Sequence, residues 1–223
     1  MATNRGIVLA TSYVYHIYNR GVERRHIFGN AREYGRFLDI MHYYQHANPA
    51  LRYSKFLQQP TDVRTGIFEA LMAEPTIVDI LSFCLMPNHF HLLIRQQSEG
   101  GISRFLANIC NSYTKYFNTK HARVGPLLQG TFKAVLVETD EQLVHVSRYI
   151  HLNPVSSLII PKEKLNEYLW SSFPEYLGMR PGFTSTDTVL SYFPSREHYH
   201  NFVSDQADYA KTLERTKHLC FEE

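Results

Sequence analysis

The chain has 223 residues, 44% of them hydrophobic, and a net charge of +2. That size suits one domain with appendages or two small ones, and so small a net charge names no partner by itself. No apolar run approaches the ~20 residues of a membrane helix, and Met1–Ala10 holds too short an apolar stretch for a signal peptide, so a cytoplasmic protein with no membrane partner is expected.

Tyr13–Tyr18 is aromatic and β-branched and predicts a strand, ended by the turn residues Asn19-Arg20-Gly21. Ala31–Gln45 predicts a helix, with Tyr34, Phe37, Leu38, Met41 and Tyr44 at helical spacing. His46–Pro75 is less regular, holds a short helix near Gly66–Ala73, and reads as an insertion. Thr76–Leu85 is the next strand, Met86-Pro87-Asn88 a turn, and Phe90–Arg95 an adjacent strand. Ile102–Asn118 reads as an amphipathic helix with Phe105, Leu106, Ile109, Tyr113 and Tyr116 for one face. Gly125-Pro126 breaks the chain, and Gly130–Val137 is a fourth strand. Asp140 caps a helix from Glu141 to Leu152, stopped by Asn153-Pro154. Beyond Ser157 the pattern is patchy, with Trp170–Tyr176 as a packing segment and a short helical tail.

This order, β-α-β-β-α-β-α, predicts an α+β fold: a ferredoxin-like antiparallel sheet with helices on one face. Residues 1–160 would form the main domain, with the insertion at about 46–75. Residues 161–223 would be a C-terminal extension packing on or beside it. Cys84, Cys110 and Cys220 form no CxxC pair, and an odd count argues against a disulfide framework. Cys84 and Cys110 sit in apolar contexts and read as reduced core residues.

The chemistry concentrates in Met86-Pro-Asn-His89-Phe90-His91-Leu-Leu-Ile94. On a strand, His89 and His91 share one face while Phe90, Leu92 and Ile94 take the other. Two imidazoles presented together can hold a divalent metal; the plainer alternative is a pair of surface histidines. Charge is also unevenly spread. No Asp or Glu falls between Gly100 and Val137, whereas Arg104, Lys115, Lys120, Arg123 and Lys133 do, interleaved with Tyr113, Tyr116, Phe117 and Phe132. Arg20, Arg24 and Arg25 form a second cluster. Such acid-free, aromatic-laced stretches suit a nucleic-acid surface, though a solvated helix face gives the same pattern. Lys133 fits a phosphate contact or a solvated strand position equally, and His16 either lines a cleft or is structural. From Glu197 onward acids outnumber bases, and this tail is a candidate cover for the basic surface.

On the Glu141–Leu152 helix, Leu143, Val146 and Ile150 make the apolar stripe. Tyr149 and Asn153 lie beside it, four residues apart and therefore neighbours. Taken alone, the first reads as a core-edge tyrosine and the second as a helix stop.

His89-Phe-His91 followed by Tyr149-Ile-His-Leu-Asn153-Pro-Val155 resembles the Y1 family of HUH single-strand transposases (IS200/IS605-like), and within it the REP-associated tyrosine transposases. Tyr15–Gly21, Met86–Leu93, Ser112–Asn118 and Gly125–Lys133 carry the same likeness in the same order. It runs from about Tyr13 to Ser157, leaving out the insertion and the tail.

The resemblance implies that His89, His91 and Asn153 are metal ligands, for Mg²⁺ or Mn²⁺. It implies Tyr149 as the nucleophile that cleaves single-stranded DNA through a 5′-phosphotyrosine link and releases a 3′-OH. It further implies a hairpin-forming repeat as substrate, and a monomer or homodimer as the working form. Tyr113 and Tyr116 are rival nucleophiles; Tyr149 is preferred for its motif match and its i,i+4 relation to Asn153. Arg20, Arg24, Arg25, Lys115, Arg123 and Lys133 are the expected DNA contacts. Two other readings stay open: a hairpin-binding protein that does not cut, and a metallohydrolase of small phosphoesters.

Overall fold

A computed structural model describes residues 8–205. In chain order the elements are β1 (Val14–Arg20), α1 (Ala31–Tyr44), α2 (Tyr53–Phe56), α3 (Thr61–Met72), β2 (Val78–Met86), β3 (His89–Gln96), α4 (Gly101–Lys120), β4 (Lys133–Val137) and α5 (Asp140–Ser156). They are followed by α6 (Phe173–Tyr176), α7 (Asp187–Leu190) and α8 (Arg196–Ser204), with 3₁₀ turns at Val22–Arg24 and Lys162–Glu167.

The four strands form one antiparallel sheet in the order β2-β3-β1-β4, the order of a ferredoxin-like fold. Two-residue closure at Pro87-Asn88 makes β2 and β3 a hairpin. Opposed bonds fix β1 against β3: Gln96 donates to the Tyr13 carbonyl at one end and Gly21 to the Asn88 carbonyl at the other. Phe90, Leu92 and Ile94 are fully buried along β3, as alternation predicts for one face of the strand; Leu93 on the histidine face is buried too. Among the described residues no helix is long and apolar enough to cross a membrane.

The chain divides into two compact units. Among the described residues, the first comprises 8–79, 87–89 and 94–136. Here α1 packs on α4 through a buried aromatic cluster in which Phe28 meets Tyr34, Phe37 and Tyr113 at ring separations of 4.7, 5.2 and 5.3 Å. A buried carboxylate ties the same helices together. Glu33 accepts from Lys120 Nζ (2.6 Å), His121 Nε2 (2.7 Å) and the Gly29 amide (2.6 Å). Burial pushes its pKa up, but these donors outweigh it and hold the carboxyl down to about 2.

Among the described residues, the second unit comprises 80–86, 90–93 and 137–205. Here the 168–176 segment clasps β2: the Tyr168 and Tyr176 hydroxyls donate to the carbonyls of Leu85 and Leu81. The expected packing role of Trp170–Tyr176 thus falls on its buried members, Ser171 to Tyr176.

Several expectations need correction. Asn153-Pro154 does not stop the helix; α5 runs on to Ser156 with Pro154 inside it. Proline forfeits one amide bond, but here in the last turn, where Ser157 still donates to the Asn153 carbonyl and Ile159 and Ile160 reach that of Pro154. Burial of Pro154 and Val155 offsets the loss. Asp140 is not the cap: Thr139 accepts from the Gln142 amide, and the Gln142 side chain reaches back to the Glu138 amide, in the manner of a capping box. Ser147, not Val146, shares the buried face with Leu143 and Ile150. Residues 53–72 hold two helices where one short helix at 66–73 was expected. Phe117 takes the buried place on α4 expected for Tyr116. Cys84 is a buried free thiol as expected, whereas Cys110, also free, is only half-buried. Cys220 and most of the acidic tail lie outside the described residues.

Candidate functional site

On the second unit, the His91 ring meets that of Tyr149 edge to face, 5.6 Å between centroids at 86°. His91 is buried, while Tyr149 is 41% exposed and so open to solvent at the surface of α5. Asn153, one turn later and buried, donates from Nδ2 to the Tyr149 carbonyl at 2.9 Å. A carbonyl only accepts, so this bond fixes which end of the amide is nitrogen and leaves Oδ1 as the donor oxygen for a ligand.

The helix that carries both residues is anchored by a histidine that no motif singles out. His151 is fully buried, its Nε2 2.8 Å from Ser172 Oγ and its Nδ1 2.7 Å from the Tyr199 hydroxyl. Tyr199 in turn lies 3.1 Å from Ser147 Oγ, and Ser172 Oγ accepts from the Phe83 amide of β2 at 2.9 Å. Burial drives the imidazole pKa down to about 3, so the ring is neutral and bonds through both nitrogens. The available sequence signal was a lone histidine inside an otherwise apolar turn; its partners, 21 and 48 residues away, were not legible.

On the first unit, His89 opens β3 directly after the turn, with Nδ1 2.6 Å from Asn88 Oδ1. Burial and then the nearby Arg20 charge lower its pKa to about 4, so near neutral pH the ring keeps a nitrogen lone pair. Arg20–Arg25 and the Gly125–Gly130 loop, both singled out for basic or motif content, are zipped together. Gln129 donates to the Arg20 carbonyl (2.8 Å), Val22 to that of Leu127 (3.0 Å), and Gly21 bridges Leu128. Gly21 is required here, because a Cβ would strike the Arg25 carbonyl and the Ile27 side chain.

Arg20, Arg24 and Lys133 are exposed, the last with Nζ 5.9 Å from the Tyr18 ring centroid. Arg25 and Arg123 are partly engaged in their own loops. Arg25 pairs with Glu23 at 2.9 Å, and Arg123 donates to Asn118 Oδ1 at 2.7 Å. Lys115 stands on the exposed side of α4, whose Asn118 side chain donates to the Gly125 carbonyl of the Gly125–Gly130 loop at 2.8 Å.

The rival tyrosines differ from Tyr149. Tyr113 is fully buried, its hydroxyl donates to the Ile27 carbonyl, and burial together with the Glu33 carboxylate holds its pKa far above the phenol range. Tyr116 is half-buried with the Arg36 guanidinium 4.8 Å from its ring centroid. Among the described residues no three His, Cys, Asp or Glu side chains cluster as a metal site. His89 and His91 each offer an imidazole nitrogen, and Asn153 an amide oxygen of the kind hard divalent ions accept.

Residues 49–153 match the family described as "Transposase IS200 like". The matched range takes in His89, His91, Tyr149 and Asn153, and also α2 and α3, which fall in the stretch set aside as an insertion. No curated protein matches the chain. Among solved structures, that of a REP-associated tyrosine transposase bound to a REP hairpin is similar, with a TM-score of 0.51 and 13% identity, covering 84% of this chain and 93% of the other. The resemblance carried by the motifs holds: residues 49–153 match the IS200-like transposases, on a fold shared with a REP-associated tyrosine transposase.

Proposed function

We propose that this protein is a metal-dependent single-stranded DNA endonuclease and strand-transferase, acting beside DNA hairpins through a 5′-phosphotyrosine intermediate. The observation that carries the reading is the pairing of Tyr149, solvent-exposed on α5, with His91 of the β3 His-x-His.

Tyr149 Oη attacks the phosphorus of a phosphodiester, forms the O–P bond, and expels the 3′ oxygen, which leaves as a 3′-OH after taking a proton. Reversal, with a new 3′-OH as the attacking group, rejoins strands and frees the phenol. His89, His91 and Asn153 Oδ1 would hold the divalent cation, Mg²⁺ or Mn²⁺. When bound, that ion supplies charge neutralisation at the phosphate oxygens, which lowers the repulsion met by an incoming phenolate. A tyrosine phenol free in water has a pKa of about 10, so such a nucleophile reacts best once deprotonated. His151 and its partners hold the helix so that the nucleophile stays beside His91. Arg20, Arg24 and Lys133, exposed on the first unit, are suited to phosphate contacts, with Arg25, Arg123 and Lys115 as further candidates.

Support for a hairpin substrate comes from the fold neighbour, whose structure holds a REP hairpin. The test is incubation of the purified protein with labelled hairpin DNA and Mn²⁺, followed by a denaturing gel. A covalent adduct that EDTA prevents is expected. Tight binding with no adduct, across several hairpins and both metals, would instead make this a hairpin-binding protein that does not cut.

A further inference from the structure

Asn88 sits in the tight turn between β2 and β3, immediately before His89, and its side chain makes two bonds. Nδ2 donates to the Arg24 carbonyl at 3.3 Å, and Oδ1 lies 2.6 Å from His89 Nδ1. The first bond decides the second. A main-chain carbonyl only accepts, so the amide NH₂ is the end at Arg24, and the end at His89 is the oxygen. An amide oxygen carries no hydrogen, so Nδ1 must be the donor. In the neutral ring the hydrogen is then on Nδ1, and Nε2 is the unprotonated nitrogen.

The turn is braced to keep that geometry. Gly21 donates to the Asn88 carbonyl at 2.8 Å, and Ile27 and Phe28 donate to that of Pro87 at 2.7 and 3.0 Å. Glu23 and Arg24 both adopt left-handed backbone, φ 56° and 57°, a conformation that non-glycine residues hold only when their surroundings enforce it. The Arg24 carbonyl that orients Asn88 therefore belongs to a fixed loop, which is also the loop bearing the exposed arginines.

We infer that Asn88 is a positioning residue: it locks His89 as the Nδ1–H tautomer, making Nε2 the nitrogen that ligates the cation, and couples that ligand to the arginine loop 20–25. Partners of this kind orient metal-binding histidines generally, and losing one costs about 10- to 100-fold in metal affinity. The ligand role of His89 rests on the function proposed above; the tautomer does not.

The experiment uses the full chain, free of metal, with long-range ¹H–¹⁵N spectra assigning the His89 ring nitrogens by comparison with His89→Gln. Wild type is expected to report Nδ1–H. Asn88→Ala is expected to shift the ring toward Nε2–H and to weaken Mn²⁺ binding, followed by the electron paramagnetic resonance of free Mn²⁺, about tenfold or more. Asn88→Asp keeps an acceptor and is expected to restore the Nδ1–H form. An Nε2–H ring in wild type, or an unchanged tautomer in Asn88→Ala, overturns the inference. Should the tautomer respond as expected while Mn²⁺ binds neither protein, the positioning role stands and the metal-dependent reading fails.

Discussion

The side chain of Asn153 donates to the main-chain carbonyl of Tyr149, 2.9 Å away and one helical turn back. One amide thus serves two ends: its nitrogen is spent on the helix, and its oxygen is left for a ligand. The bond also lies inside α5, where the proline after Asn153 would ordinarily weaken the turn.

Two substitutions at Asn153 separate these uses. Asn153→Ala loses both and should destabilise the protein by about 1–2 kcal/mol, the range for a buried hydrogen bond left half unmade, measured by urea unfolding. Asn153→Asp keeps an oxygen ligand and adds charge, so Mn²⁺ affinity should hold or rise even as the helix bond is lost. Equal loss of Mn²⁺ affinity in both variants would remove Asn153 from the ligand set.

The His151 network gives the protein a pH signature. Its pKa in the folded chain is near 3 because of burial, against an ordinary 6.5. A folded pKa below the unfolded one means that stability is full above about pH 6.5 and declines as pH falls toward 3. The decline should reach about 2 kcal/mol by pH 5 from this group alone. His16 and His89, each lowered to about 4 with burial as the largest cause, act in the same direction. His151→Gln, which keeps a donor and an acceptor, should be less stable at pH 8 yet show a shallower decline between pH 7 and 5. A parallel decline in both proteins would assign the pH dependence elsewhere.

Glu33 acts at lower pH. Its carboxyl is held near 2 by Lys120, Gly29 and His121 against the cost of burial, so its contribution is present above about pH 4.5 and lost as pH falls toward 2. Glu33→Gln should cost about 2 kcal/mol at neutral pH, since it weakens charge-assisted bonds to three donors, while leaving hairpin cleavage intact. Calorimetry together with the adduct gel checks both halves.

Lys133→Ala and Arg20→Ala probe the exposed basic residues. Each should weaken single-stranded DNA binding across sequences and reduce the salt slope by about 0.7 if one phosphate contact is lost. Thermal stability should change by no more than about 0.5 kcal/mol, as expected for exposed side chains. An unchanged slope would take that residue off the DNA path.

Much of this was legible in the chain because it is local. Strand alternation put His89 and His91 on one face, and helical spacing put Tyr149 beside Asn153. Both readings needed only neighbours within four residues. The end of α5 misled because the rule for proline is also local, whereas the bonds to the carbonyls of Asn153 and Pro154 and the burial of Val155 come from the turn that follows and the tertiary packing around it. The role of His151 is non-local in the same way. Its partners Ser172 and Tyr199 come from the C-terminal segment, whose short helices carry little periodicity of their own. Tyr113 and Tyr149 both lie on helices; the motif match and the Asn153 spacing favour Tyr149 in sequence, and burial separates the two in the structure.

The proposed function rests on Tyr149 as the attacking group. It is tested most directly by digesting the covalent DNA adduct and locating the nucleotide-bearing peptide by mass spectrometry, alongside Tyr149→Phe. A phosphotyrosine at Tyr149 and no adduct from Tyr149→Phe are expected, with hairpin binding within about twofold of wild type because the exposed ring is retained. A nucleotide on Tyr116 or any other residue, or an adduct that survives in Tyr149→Phe, would contradict it.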